Sequence, residues 1–232
     1  MRFTIHPPAG TQFSPASLPA VSPDDSRIAF VAVGRDGKTS LWVRPLDAVA
    51  ATPLPGTEDA KQPFWSPDST ALGLFPQGKL KKLTLAGGLP QVVCDAPNPA
   101  GGTWGADDVI VFAPGSGTGV PLLRVSANGG TPTAIGTLRA DRREANQAWP
   151  AFMSDGRRFV FFEHRNPGPS AVSYRSLQND GLQTLRFRTG SEPSEPLATG
   201  STAAAGRSSR SRRTREPTRS LARKCRSRAE SR

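Results

Sequence analysis

Four segments of the chain share one arrangement of apolar and polar positions. In each, a large apolar residue precedes a short polar turn that contains an aspartate, and an alternating apolar pair follows the turn. The aspartates, spaced 44, 39 and 48 residues apart, are Asp24, Asp68, Asp107 and Asp155. The preceding apolar residues are Val21, Trp65, Trp104 and Phe152, and the pairs are Ile28/Phe30, Leu72/Leu74, Ile110/Phe112 and Phe159/Phe161. Regular repetition of this kind indicates a repeat architecture.

Each repeated unit is typical of a β-hairpin followed by two more strands. Pro presets φ in a tight turn and Asp bonds nearby backbone amides, which predicts turns at Pro23–Ser26, Pro67–Ser69 and Ser154–Arg157. The third turn is expected to be two residues shorter. Alternating segments predict third strands over 40–46, 80–85, 122–126 and 171–177, and a fourth strand such as 90–94. Four antiparallel strands every ~40–45 residues match a blade of a β-propeller.

The predicted fold class is therefore all-β, a β-propeller of about four four-stranded antiparallel blades in an incomplete ring. We expect a lead-in over residues 1–17, with an additional strand through Phe3 and Ile5. The blades are expected over 18–188, at about 18–60, 61–99, 100–146 and 147–188. Phe159 and Phe161 are expected on an exposed face of the last blade. Residues 189–232 are expected to form a disordered tail rich in Arg and Ser.

Several segments resemble known propeller repeats. V-S-P-D-D-S-R-I-A-F (21–30) and W-S-P-D-S (65–69) resemble TolB-type, WD40-like repeats. L-W-V-R-P-L-D (41–47), G-K-L-K-K-L (78–83) and G-G-T-W (101–104) are similar to the propeller that follows the kinase domain and membrane span in bacterial serine/threonine protein kinases. The resemblance covers about residues 2–177. It implies a six-bladed ring and an extracytoplasmic or periplasmic location in a full-length parent.

The sequence departs from that pattern in three ways, because it contains no kinase domain, no membrane segment and fewer blades than a complete ring. The third and fourth turns also lack Ser-Pro, reading Gly-Ala-Asp-Asp and Met-Ser-Asp-Gly. Residues 1–8 have no apolar stretch typical of a signal peptide. The chain is accordingly interpreted as a fragment.

The net charge of +11 is concentrated at the C-terminal end. Residues 201–232 hold eleven basic and two acidic residues, which leaves 19 basic and 17 acidic residues in 1–200. Two interpretations of the tail stay open: a basic arm that contacts phosphates, or out-of-frame translation of GC-rich DNA. The abrupt end of the repeats favours the second, so nucleic acid is not the expected partner of the blades.

No residue is nominated as catalytic, cofactor-binding or metal-binding, and no cofactor is expected. His6 and His164 lie on different segments, and the sequence has no H-E-x-x-H, Cys-x-x-Cys or G-x-S-x-G motif. Gly115–Gly119 is interpreted as an inter-strand loop rather than a phosphate loop. The repeated aspartates are interpreted as turn-stabilising, Trp65 and Trp104 as packing between blades, and Lys79, Lys81 and Lys82 as a solvated edge.

The expected function is a non-catalytic interaction or sensor module that binds a protein or small molecule on the propeller face. Self-association through open blade edges is also expected. Two alternatives stay open: a nucleic-acid-binding protein that uses residues 207–232, and an accessory propeller of a serine peptidase.

Deletion of residues 190–232 should leave the thermal unfolding midpoint unchanged, because these residues offer almost nothing to bury. Circular dichroism melting of the full-length and shortened chains measures this. A loss of several degrees on deletion would show that the tail packs on the blades.

Overall fold

The computed structural model of the protein describes residues 4–115 and 119–178, together with the backbone of 183–185. Within this part of the chain the regular structure is four antiparallel sheets and two short 3-10 turns, with no α-helix. The prediction of an all-β propeller with four antiparallel blades is confirmed. The predicted disordered tail lies outside the described residues.

Seventeen strands make up the four sheets, which follow one another along the chain. Sheet 1 contains β1 (Thr11–Phe13), β2 (Ala20–Val21), β3 (Arg27–Gly34), β4 (Thr39–Pro45) and β5 (Thr52–Pro53). Sheet 2 contains β6 (Phe64–Trp65), β7 (Ala71–Leu74), β8 (Lys79–Thr84) and β9 (Gln91–Asp95). Sheet 3 contains β10 (Gly102–Trp104), β11 (Val109–Phe112), β12 (Leu123–Ser126) and β13 (Thr133–Ala134). Sheet 4 contains β14 (Glu144–Phe152), β15 (Arg158–Arg165), β16 (Ala171–Ser176) and β17 (Gln183–Leu185).

Sheets 2, 3 and 4 are simple meanders in which each strand pairs with the next along the chain. The first strands of successive sheets contact one another, as expected for strands that surround a propeller axis. The aspartate-containing turns join the first and second strands of sheets 1, 2 and 4, where the sequence places them. The sheets are therefore blades, and we number them 1 to 4.

The first strand position of blade 1 is divided between β1 and β2. Both pair with β3, β1 at its C-terminal end and β2 near its N-terminal end. The expectation of an extra strand through Phe3 and Ile5 is wrong for Ile5, which lies outside any strand and packs against Phe30. Phe3 lies outside the described residues. The additional strand instead forms at Thr11–Phe13, which pairs with the C-terminal end of β3 in an antiparallel ladder.

The blades pack face to face through side chains of unequal size. The alternating pair on the second strand of blades 2, 3 and 4 faces the preceding blade, so Leu72 and Leu74 pack against Ala29 and Val31 of blade 1. The same arrangement recurs between blades 2 and 3, where Ile110 and Phe112 meet Ala71. Between blades 3 and 4, Phe159 and Phe161 meet Val111. On these second strands, the side chains that face the preceding blade are thus larger than the second-strand side chains that they meet.

Phe159 and Phe161 are therefore not on an exposed face, and that expectation is wrong. They are 0% and 1% exposed, because successive strand residues point to opposite faces and this pair points towards blade 3. The opposite face of blade 4 carries Val160 and Phe162, and Phe162 is 37% exposed.

Phe161→Ala should lower the free energy of unfolding by about 3–5 kcal/mol, because it leaves a cavity between two blades. Phe162→Ala, one position along the same strand, should cost less than about 1.5 kcal/mol because its side chain already contacts solvent. Urea denaturation measures both variants, and Phe161→Leu serves if the alanine variant does not fold. Equal losses for the two alanine variants would contradict the assigned orientation of β15.

Candidate ligand-binding cleft

The Ser-Pro-Asp turns of blades 1 and 2 are held by matching hydrogen bonds. In blade 2, the Ser66 hydroxyl donates to Asp68 Oδ1 (2.6 Å), and Thr70 donates its backbone N–H to Oδ1 (3.1 Å) and its hydroxyl to Oδ2 (2.8 Å). The Ala71 N–H then donates to Ser66 Oγ (2.9 Å), which ties the turn to the second strand. In blade 1 the corresponding bonds connect Ser22, Asp24, Ser26 and Arg27.

These hydrogen bonds lower the pKa of the turn carboxyls. Bonds from Ser22 and Ser26 lower the pKa of Asp24 to about 2, and the bond from Ser66 likewise lowers the pKa of Asp68. In blade 4, the backbone and side chain of Arg158, with the Arg157 N–H, lower the pKa of Asp155 to about 2. Asp24, Asp68 and Asp155 thus stabilise turns, as their sequence context indicates.

Asp107 does not take this role, and the interpretation of it as a turn-stabilising carboxylate is wrong. Six residues separate the paired residues that flank the turns of blades 1, 2 and 4, but only five separate Trp104 from Ile110 in blade 3. The turn is one residue shorter, not two. Because of this deletion, Asp107 adopts the left-handed conformation (φ 60°) of Ser69 and Gly156 in the neighbouring turns. Its carboxylate accepts no hydrogen bond in the described part of the chain.

Turn-to-turn hydrogen bonds close two of the three blade interfaces. Between blades 1 and 2, the Asp24 N–H donates to Ser69 Oγ (3.1 Å) and Arg27 Nη1 to the Ser69 carbonyl (3.3 Å). Between blades 3 and 4, the Ala106 N–H donates to the Gly156 carbonyl (3.0 Å). No such bond joins the turns of blades 2 and 3 among the described residues. The shortened third turn therefore leaves this interface open at its turn end.

A cleft of about 460 Å³ lies at that opening. Blade 2 contributes Asp68, Thr70 and Lys82 to its walls, and blade 3 contributes Trp104, Asp107 and Asp108. Asp68 and Asp107, from the turns of two different blades, line the same space. The described residues hold no group of three or more His, Cys, Asp or Glu arranged to surround a metal ion.

The tryptophans of blades 2 and 3 differ in hydrogen bonding, although both pack between blades as predicted. Trp65 is 6% exposed and donates its indole N–H to the Ala20 carbonyl of blade 1 (2.9 Å). Trp104 is 7% exposed, and its indole N–H has no acceptor. The interface between blades 2 and 3 therefore lacks both the turn-to-turn hydrogen bond and the indole hydrogen bond that join blades 1 and 2.

The three lysines interpreted as a solvated edge lie on β8, which is an inner strand of its sheet because β9 covers its far side. Lys79 pairs with Asp95, and Lys82 donates to Asn128 Oδ1 of blade 3 (3.1 Å). The edge interpretation is wrong, because the fourth strand of blade 2 takes that position. The Lys82 side chain instead connects blade 2 to blade 3 through its bond to Asn128.

The other candidate groups are dispersed. His6 and His164 are both exposed, and His164 lies 3.3 Å from the Ser170 hydroxyl. Residues 116–118 of the glycine-rich loop lie outside the described residues. Cys94 is buried, and burial followed by the charge of Asp95 raises the pKa of its thiol to about 11. A thiol with this pKa is a poor nucleophile at neutral pH.

A buried polar cluster between blades 3 and 4 was not predicted. Gln147 Oε1 accepts the Leu122 N–H of blade 3 (3.1 Å), and Arg165 donates to Glu163 Oε2 (2.6 Å). Burial and the neighbouring Glu163 raise the pKa of Glu144. Burial opposes ionisation of Glu163 too, but a hydrogen bond from Ser173 and the arginine charges keep its pKa low. Gln147 Nε2 donates to Glu144 Oε1 (3.3 Å), so hydrogen bonds connect the side chains within this cluster.

A second unpredicted feature is a backbone amide that recurs six residues before three of the four aspartate positions, Asp68, Asp107 and Asp155. The backbone N–H of Gln62 donates to Ser17 Oγ (3.0 Å), that of Gly101 to Gln62 Oε1 (2.8 Å), and that of Trp149 to the Ala100 carbonyl (2.7 Å). Each bond connects a blade to the one before it. All three donor residues have a left-handed backbone conformation, with φ of 49°, 94° and 53°. The pattern of apolar and polar residues along the chain does not indicate this conformation.

Comparison with solved structures identifies the architecture. The putative TolB of Agrobacterium tumefaciens shares 18% identity with a TM-score of 0.60 over 71% of this chain and 62% of that one. TolB of Acinetobacter baumannii shares 14% identity with a TM-score of 0.58 over 72% and 42%. A puromycin-hydrolyzing peptidase of Mycobacterium tuberculosis shares 18% with a TM-score of 0.58 over 77% and 29%. The chain spans less than two thirds of each.

The protein therefore has a TolB-like β-propeller fold. No protein-family profile matches the chain, and no curated protein sequence matches it either. Within the described residues, no helix has the length and apolar character needed to cross a membrane.

The turn carboxyls should make folding stability sensitive to acid. Because the folded-state pKa values of Asp24 and Asp155 are lowered to about 2, their contribution is complete above their ordinary pKa of about 4 and is lost as the pH falls towards 2. Urea unfolding of wild type and of Asp24→Asn/Asp155→Asn at pH ~5 and ~2.5 measures this. The variant should lose less stability between the two pH values.

Asp25→Asn is the matched control, because Asp25 neighbours Asp24 in the same turn and its carboxylate accepts no hydrogen bond in the described structure. This variant should follow the wild-type pH dependence. An unchanged pH dependence in the double variant would contradict the assigned role of the turn carboxyls.

Proposed function

We propose that the protein is a non-catalytic interaction module, part of an extracytoplasmic region of a bacterial receptor-like serine/threonine kinase or of a TolB-like protein. The observation that carries this proposal is the TolB-like arc of four blades, whose loops and one open cleft offer binding surface. Propellers present ligand sites on such loops over a rigid scaffold.

The distribution of reactive side chains supports binding rather than catalysis. In the described part of the chain the two histidines are exposed and far apart in sequence, and the buried cysteine is held in its thiol form. A catalytic site needs a nucleophile or acid within hydrogen-bond reach of a base and an orienting group. Among the described carboxylates, Asp24, Asp68 and Asp155 accept hydrogen bonds within turns, and Asp141 and Glu163 pair with arginines.

An accessory propeller of a serine peptidase is the second candidate, favoured by the structural similarity to the puromycin-hydrolyzing peptidase. In that case the bound partner would be a hydrolase domain. The exposed face of blade 4, with Phe162 on it, would suit either such a domain or self-association of this chain.

Selection of a random peptide library on the immobilised full-length chain tests the proposed function. We expect peptides that bind the folded chain but not a urea-unfolded sample, with no turnover of peptide, phosphoester or nucleotide substrates by the free chain. Turnover that disappears on substitution of a single nucleophilic or acidic residue would refute the proposal. Failure to enrich any peptide on the folded chain would also count against it.

A further inference from the structure

We propose that residues 4–13 form a cap over blade 1 that blocks head-to-tail association of the chain. The face that they cover carries Ile28 and Phe30, and it corresponds to the faces by which blades 2, 3 and 4 contact the preceding blade. We call it the leading face of blade 1, and we call the face of blade 4 with Val160 and Phe162 the trailing face. A leading face without its cap would bind the trailing face of a second copy. This inference goes beyond the proposed binding of a separate partner.

The leading face of blade 1 is buried, although no sheet precedes blade 1 in the described part of the chain. Ile28 and Phe30 are 6% and 2% exposed. Ile5, from the segment before β1, packs on this face beside Trp42 of the same sheet. The Phe13 ring meets the Phe30 ring edge to face, with 5.2 Å between the ring centroids. The cap therefore takes the position on blade 1 that a preceding blade takes on blades 2, 3 and 4.

A tight turn connects the first part of the cap to the sheet. Thr11 donates its backbone N–H (3.0 Å) and its hydroxyl (2.8 Å) to the Pro8 carbonyl. The turn leads into β1, which pairs with β3 and so fixes the start of the segment above the leading face. Ile5 is half-buried whereas Thr4 beside it is exposed. Ile5 is therefore the side chain through which residues 4–8 contact the face.

The trailing face of blade 4 is built like that of blade 2, which another blade covers. Phe162 follows the alternating pair of blade 4 as Phe75 follows that of blade 2. Phe75 is 1% exposed, and its ring centroid lies 6.3 Å from that of Phe112 in blade 3. Phe30 occupies the position in blade 1 that Phe112 occupies in blade 3. A second copy can therefore offer Phe162 the same aromatic contact, through Phe30, that Phe75 makes within the chain.

Contact between two different faces can repeat from one copy to the next. Every assembly of this kind keeps one free leading face and one free trailing face until a ring closes, so it can continue to grow. Stacked repeats need a covered end for the same reason. The cap removes one of the two complementary faces and stops growth at the first step. Self-association through blade faces is therefore expected of the uncapped chain and not of the intact one.

Sedimentation velocity of the full-length chain over a range of concentrations tests the proposal. Wild type should sediment as a monomer throughout. The average mass of Ile5→Asp should rise with concentration by at least about twofold, because its carboxylate does not stay on an apolar face and the cap lifts. Thr4→Asp is the matched control, since it adds the same charge at the exposed neighbouring position, and it should stay monomeric.

Two double variants separate head-to-tail contact from general aggregation. Ile5→Asp/Phe162→Asp should be monomeric, because a charge then lies on the trailing face. Ile5→Asp/Leu89→Asp should associate as Ile5→Asp does, since Leu89 is a 73% exposed residue in a turn of blade 2, outside both faces. Circular dichroism checks that each variant is folded, and Ile5→Ala replaces Ile5→Asp if the latter is not.

Three results would overturn the proposal: a folded Ile5→Asp or Ile5→Ala chain that stays monomeric, association of wild type to the same extent, or equal loss of association on adding Phe162→Asp or Leu89→Asp. Association of Ile5→Asp only after deletion of residues 190–232 would also refute it, because the tail and not the cap would then control the contact. The proposed binding of a separate partner is tested independently, by the library-selected peptides.

Discussion

The packing of each sheet against the one before it is the constraint on which the rest of the structure depends. A single four-stranded sheet has two apolar faces and cannot bury either alone. In this chain the faces of neighbouring blades bury each other, as where Phe112 of blade 3 packs with Ala71 and Phe75 of blade 2. Gly102 of blade 3 shows how closely the blades fit, because an added Cβ would lie 2.6 Å from the ring of Phe64 in blade 2.

Hydrogen bonds between neighbouring blades supplement this apolar packing with contacts of defined geometry. Backbone amides near the first strands bond to the preceding blade at all three interfaces, and the turns at one end of the blades bond each other at two of them. A backbone in the left-handed region costs a residue such as Trp149 free energy, which the inter-blade bond of its N–H offsets. The same bonds explain why loss of one residue from a single turn opens one interface while the others stay closed.

Much of the fold could be predicted because its signals are local. The Ser-Pro-Asp turns and the two-residue alternation around them depend on neighbours within about six positions, and the structure places the turns and second strands where these signals lie. The candidate cleft could not be predicted in the same way. The sequence indicated a shorter third turn, but aligning Asp107 with the other aspartates gave it their turn-stabilising role. The backbone pairing shows that the turn lacks one residue and that Asp107 takes the left-handed position instead.

The amino-acid sequence by itself determined the class of fold, the number of repeated units in the described region and the residues that alternate on each strand. Only the tertiary structure decided which blade each face meets. Alternation divides a strand into two sets of side chains but does not say which set points towards the preceding blade, so Phe161 and Phe162 were indistinguishable until blade 3 lay against one of them. The cleft likewise could be seen only in the tertiary structure, because an opening between two blades depends on the turns of both blades.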